Sequence, residues 1–345
     1  MFENFYGNAA AADALARMIS RKRIHQTILL AGPEGIGKAT LARRFAAALL
    51  GGAGRIETDD LSLPHNAAIV ADREKWAADK RVQEPLFFAG HPDFLTFPPD
   101  GPLRQISIQQ MRLLKDRAQY LPLHGQWRVF LIDHIDRANE QAANSLLKTL
   151  EEPPPYLVLL MTARNPYDLL PTIRSRAVPV QLSRLSEEEM TEFVRARGLS
   201  DPERRIALAD GSPGLALSLD LEAWDKRRAA MLALLKVSLS QAPFSLWAAH
   251  SEKIGASRSE RLDAYLDVMY SLLEDLLAVA TRRGASAAVV RNIDLRREYD
   301  SLAPHASFAW LARAVGKVDE MAGLLRRNIQ KSIALDAFAV SLRQP

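Results

Sequence analysis

The run Gly32-Pro33-Glu34-Gly35-Ile36-Gly37-Lys38 sets three glycines and a lysine at the spacing of a phosphate-binding loop. Glycines let backbone N–H groups approach phosphate oxygens, and a helix N-terminus behind them adds a favourable dipole. Lys38 would reach the β- and γ-phosphates. The plainer alternative is a glycine-rich turn with a solvated lysine. The position after Lys38 normally carries a Ser or Thr hydroxyl for Mg²⁺, and here it is Ala39. Thr40 follows, but one helical step rotates a side chain by about 100°, so it does not substitute. Mg²⁺·ATP is therefore expected to bind weakly and to be poorly set for hydrolysis.

A second chemical position lies about 95 residues on, where Asp133 ends the apolar run Arg128-Val129-Phe130-Leu131-Ile132. A carboxylate at a strand end suits a metal-bound phosphate. An active ring-forming ATPase would place Glu next, to orient the attacking water. This chain has His134, which lacks the carboxylate's charge and reach. Asp136 sits close by and reads as a helix cap.

The elements that must position these residues are legible as alternating runs. Thr27–Ala31, Phe94–Phe97, Arg128–Asp133 and Leu157–Met161 read as strands, and Val178–Leu182 as a fifth whose Pro179 favours a sheet edge. Segments 39–50, 108–120 and 139–150 read as helices. Near-continuous apolar strands alternating with helices imply a parallel sheet covered on both faces. After residue 182 the strand signal stops. Ser186 with Glu189 marks a capped helix start, and Gly211-Ser212-Pro213-Gly214 breaks the helical unit that follows. Long apolar-periodic helices are expected over 262–280 and 308–325. The domains expected are 1–182, a P-loop-like α/β domain; 183–221, a small helical unit; and 222–345, all helical. Within the first, 51–90 is the least patterned stretch and reads as an irregular insertion.

Composition narrows the function class. The chain has 345 residues, no cysteine, 45 basic and 41 acidic side chains, and a net charge of +4. Zero cysteine excludes disulfides, thiol catalysis and thiolate zinc sites. No signal peptide or membrane span is visible, so a cytoplasmic location is expected. The mild positive charge permits nucleic-acid contact without arguing for it. Arg21-Lys22-Arg23 and Arg326-Arg327 are basic clusters that a solvated helix surface also explains.

Three further runs carry a family resemblance: Asn144-Ser145-Leu146-Leu147-Lys148-Thr149-Leu150-Glu151-Glu152-Pro153-Pro154, Asp133-His134-Ile135-Asp136, and Pro171-Thr172-Ile173-Arg174-Ser175-Arg176. His91-Pro92-Asp93-Phe94 and Asn328 with Ala334-Leu335-Asp336 support them. With the glycine loop, these strongly resemble the clamp-loader branch of the AAA+ proteins over nearly the whole chain. The resemblance implies an α/β AAA+ domain, a helical lid and a helical collar that assembles a hetero-pentamer. It implies gamma/tau-like and delta-like subunits, a sliding clamp and primed DNA as partners. Within the branch the chain looks most like the stator subunit, which lacks competent ATP chemistry and offers an arginine in trans to a neighbour's nucleotide.

By that resemblance the arginine is Arg176, with Arg174 as a lesser candidate; the plainer reading is a surface arginine paired with a carboxylate. Ala177 replaces the cysteine the family places after it. Thr162 matches a polar position that senses nucleotide from the sheet, or it simply caps a strand end. Motor subunits carry a lid arginine where this chain has Gly211-Ser212-Pro213-Gly214. The family often carries a four-cysteine zinc module where 51–90 lies, so a metal-free insertion is expected. Gly32, Gly35, Gly37, Lys38, Asp133 and Thr162 are thus the candidates for a degenerate nucleotide site, with no cofactor required and no metal site.

Three functions follow as candidates: a non-hydrolysing stator, an active gamma/tau-type motor, and a scaffold in which neither nucleotide nor arginine matters. Parts of one catalytic unit act together. Steady-state ATPase assays are therefore expected to find no turnover in the isolated chain, and none after Ala39→Thr, because His134 remains. Turnover from that single change would show that His134 is no obstacle.

Overall fold

In the computed structural model, residues 2, 4–256, 262–281, 290–324 and 331–343 are described. Arg326, Arg327 and Asn328 lie outside them. The chain divides into two compact units, Met1–Gly198 with Gly211–Leu215, and Leu199–Asp210 with Ala216–Pro345.

The first unit begins α1 (Ala9–Ser20), β1 (Thr27–Ala31), α2 (Lys38–Leu50), α3 (Ala53–Glu57), α4 (Pro64–Arg73), α5 (Ala78–Gln83) and β2 (Phe88–His91). It continues β3 (Phe94–Phe97), α6 (Ile108–Ala118), β4 (Arg128–Ile132), α7 (Glu140–Glu151), β5 (Leu157–Ala163), α8 (Pro171–Arg174), β6 (Val178–Gln181) and α9 (Glu187–Ala196). The strands form one sheet in the order β2-β3-β4-β5-β1-β6. All neighbours are parallel except β2 with β3. Residues of β1, β4 and β5 are buried throughout, as strands covered on both faces must be. One face packs Leu29, Phe130, Leu159 and Met161 against α6 and α7. The other packs Ile28, Leu30, Leu131 and Leu160 against α1 and α2. Pro179 lies on the edge strand β6, where a missing N–H costs no ladder bond to a further strand. Ser186 and Glu189 form a reciprocal capping box at the start of α9.

The 51–90 stretch is corrected by the structure: it is not irregular but holds α3, α4, α5 and most of β2. These helices are 5, 10 and 6 residues long, too short to stand alone. Buried polar groups pin them instead. Arg43 of α2 is buried and pairs with Glu57 and Asp60. Arg73 and Asp100, each 6% exposed, pair at 2.6 Å. Asn66 Nδ2 donates to the Thr58 and Asp60 carbonyls at 2.7 and 2.8 Å.

The second unit is helical: α10 (Pro202–Ala209), the end of α11 (Pro213–Ser218), α12 (Leu221–Ser238), α13 (Phe244–Ala256), α14 (Leu262–Thr281), α15 (Arg296–Leu302), α16 (Phe308–Leu324) and α17 (Lys331–Leu342). Its core includes Leu234, Trp247, Met269, Leu272, Tyr299 and Trp310. The Trp247 indole donates to Asp336 at 3.1 Å, and buried Asp275 accepts from Tyr299 Oη, Asn292 Nδ2 and the Arg291 and Asn292 N–H groups.

Asp59 ties the insertion to the sheet, accepting from Gly90 N–H at 2.8 Å and Thr96 Oγ1 at 3.1 Å. Burial pushes its carboxyl up to about 6, against the pull of those bonds and of Arg43. A carboxyl raised in the folded state binds its proton more readily there than in the unfolded chain. Its contribution is present at low pH and lost as pH rises through about 6. Asp59→Asn removes that dependence. Urea unfolding between pH 5 and pH 8 should show the wild type losing about 1.4 kcal/mol relative to the variant. A difference constant with pH would contradict the assignment.

Candidate functional site

The glycine loop runs from the end of β1 into α2, so its backbone faces the crevice at the carboxyl ends of the strands, where ligands bind in open α/β sheets. Gly32, Gly35 and Gly37 take φ of 148°, 75° and 93°, a region L side chains rarely adopt. Lys38 opens α2 and is 6% exposed. Its ammonium does not face outward. Nζ donates to the carbonyls of Gly32 at 2.8 Å and Pro33 at 2.6 Å. Burial lowers its pKa, opposed by Asp133, Glu34 and Asp136 and assisted by Arg164.

Two more segments close over the loop. Gly214 N–H donates to the Gly35 carbonyl at 2.8 Å, and Ser212 Oγ donates to the Glu34 carbonyl at 3.1 Å. A Cβ on Gly35 would lie 2.2 Å from Ser212 Oγ, and one on Gly37 would lie 3.0 Å from the Phe5 ring. The break that reads as a lid without arginine is thus in direct contact with the phosphate loop. Beside it, a cleft of about 570 Å³ is lined by Phe2, Phe5, Tyr6, Asp13, Glu189 and Glu192 among others. Its described lining holds three carboxylates and no lysine or arginine.

Asp133 and Thr162 meet at the ends of β4 and β5. Thr162 Oγ1 donates to Asp133 Oδ1 at 2.6 Å and accepts from His134 N–H at 2.8 Å. Asp133 is 7% exposed and its own N–H donates to the Phe97 carbonyl. The hydroxyl thereby ties the carboxylate to the turn, which His134 enters at φ 57°. The His134 ring lies 4.0 Å from Asp136, whose buried Oδ1 has no hydrogen-bond partner among the described residues.

The structure therefore brings Gly32, Gly35, Gly37, Lys38, Asp133 and Thr162 to one crevice. Lys38 Nζ bonds its own loop there, and Ala39, the next position, supplies no hydroxyl for Mg²⁺. Arg176 is held apart from them. Its guanidinium donates to Glu151 Oε1 at 2.6 Å and to the Thr172 carbonyl at 2.8 Å. Arg174 stacks over Tyr167 at 4.9 Å. The sequence passes over Phe5 and Arg164, and Glu151 stands in it only as part of the family run. Arg164 was detectable in principle, because it follows β5 at the strand's carboxyl end.

A mostly parallel sheet whose first strand feeds a glycine loop and a helix, with an acid at the end of β4, the next strand but one, defines a P-loop α/β domain of the AAA+ kind. The sequence model of the family described as DNA polymerase III, delta subunit, matches residues 7–186, and the chain belongs to that family. It is similar to the DNA polymerase III subunit delta' of Pseudomonas aeruginosa, 34% identical over 62% of this chain and 61% of that one. The delta' subunit of Escherichia coli is 29% identical over 66% of each. A gamma subunit from Buchnera aphidicola is 28% identical over 56% of this chain but only 48% of its own length, and the Salmonella typhimurium tau subunit is matched over 32% of its length. Among solved structures, a gamma subunit-related protein of Thermotoga maritima covers 96% of this chain at 19% identity and a TM-score of 0.47. No helix among the described residues is long and apolar enough to cross a membrane.

Thr162→Val keeps the shape but strands the buried Asp133 oxygen and the His134 N–H. Urea unfolding should show a loss of about 1–3 kcal/mol, which Thr162→Ser largely restores. An unchanged midpoint for the valine variant would contradict the bridging role.

Proposed function

We propose that the chain is the delta-prime-like stator of a bacterial DNA polymerase III clamp loader. It helps place a sliding clamp on primed DNA without hydrolysing ATP itself. Its partners are gamma/tau-like and delta-like subunits in a cytoplasmic hetero-pentamer. Any nucleotide held at its own loop is dispensable.

The observation that carries this reading is the state of Lys38. Its ammonium is satisfied by the Gly32 and Pro33 carbonyls, in a loop that meets Ser212 at Glu34 and Phe5 at Gly37. A triphosphate there would compete with both bonds, with no hydroxyl at Ala39 to hold Mg²⁺ and no carboxylate at His134 to orient water. An active motor would need all the missing parts.

Arg176 supplies the remaining chemistry. It lies just past α8 with its side chain about one-third exposed, which supports a role toward a neighbouring subunit's γ-phosphoryl group. An arginine offered in trans stabilises charge developing there and is worth about 10³–10⁵ in rate at its site. In a complex reconstituted with a hydrolysing subunit, clamp and primed DNA, Arg176→Ala should lower DNA-stimulated ATPase by roughly tenfold or more. Assembly, read by gel filtration, should be intact. Normal turnover in that variant would sink the in-trans role and favour a plain scaffold.

A further inference from the structure

Arg176 is not a free cation awaiting a phosphate. One terminal nitrogen donates to Glu151 Oε1 at 2.6 Å, and the other to the Thr172 carbonyl at 2.8 Å and Ser175 Oγ at 3.4 Å. Glu151 is the last residue of α7, and its side chain is 50% exposed. Glu152 follows it and makes no ion pair among the described residues.

We propose that Glu151 parks the Arg176 guanidinium inside its own subunit and must release it before it can serve a neighbour's nucleotide. The inference rests on the in-trans reading of Arg176 and names what regulates that residue. While paired, the carboxylate cancels the charge that a phosphate would meet. Each partner is solvent-accessible, so the hold is weak, worth roughly two- to fivefold in an equilibrium. A triphosphate presents several anionic oxygens and forms stronger charge-assisted bonds with a guanidinium than an exposed carboxylate does. It therefore displaces Glu151. Thr172 contributes differently: its carbonyl is neutral, holds the other nitrogen, and keeps the side chain aimed after release. The subunit's arginine is thus masked until a nucleotide-bearing neighbour docks.

The test is the ATP concentration giving half-maximal hydrolysis in the reconstituted complex. Glu151→Gln keeps the size of the side chain and removes its charge. It should lower that concentration by about two- to fivefold, and Glu152→Gln, the same charge change one residue away, should not move it. The shift should shrink as salt is raised, because exposed pairs are screened. In the Arg176→Ala background, Glu151→Gln should have no effect. A Glu151→Gln variant that matches wild type, binds ATP more weakly, or is mimicked by Glu152→Gln overturns the parking role. If Arg176→Ala alone left turnover normal, the in-trans reading itself would fall; a crippled Arg176→Ala beside an inert Glu151→Gln sinks parking only.

Discussion

Lys38 has to put a positive charge somewhere in a buried crevice, and that need shapes the region around it. An ammonium out of water must be hydrogen-bonded. The Gly32 and Pro33 carbonyls accept from it, which curls the loop back on its own lysine. The curled loop turns the Glu34 and Gly35 carbonyls toward residues 212–214, which donate to them. Glycine is favoured at 35, where φ is 75° and a Cβ would press on Ser212 Oγ. Burial lowers the lysine's pKa, and Asp133, Glu34 and Asp136 oppose that shift in part. A loop built to hold phosphate is here closed on itself.

The same logic explains how the insertion after α2 folds with no cysteine to staple it. It uses buried arginines. Arg43 reaches from the phosphate-loop helix to Glu57 and Asp60, and Arg73 reaches to Asp100. Breaking one partner of such a pair leaves an uncompensated buried charge. The insertion is therefore anchored to α2, the helix whose first residue is Lys38.

Much of this was readable in the residues. The strands 27–31 and 94–97 have the boundaries their apolar runs imply, and the Ser186–Glu189 cap is where its spacing places it. Those signals are local: periodicity, punctuation and caps act over a few residues. The missed helices α3, α4 and α5 have little such signal beyond Pro64 at the start of α4, because their stability comes from partners such as Asp100, 27 residues from Arg73. The site divides the same way. Lys38, Asp133 and Thr162 were placed by motif and strand end. The covering contacts of Ser212, 178 residues from Glu34, and of Phe5 depend on the tertiary fold. So does the Glu151 pairing, although both residues lie in runs with distinctive sequence.

On the stator reading, this chain is silent alone and activating in company. Titrating it into a fixed amount of a hydrolysing clamp-loader subunit, with clamp and primed DNA present, measures this directly. The account predicts no hydrolysis from the chain by itself and a saturable rise in rate per partner subunit as it is added. Hydrolysis by the isolated chain, or a partner rate that stays flat through saturation, would contradict it.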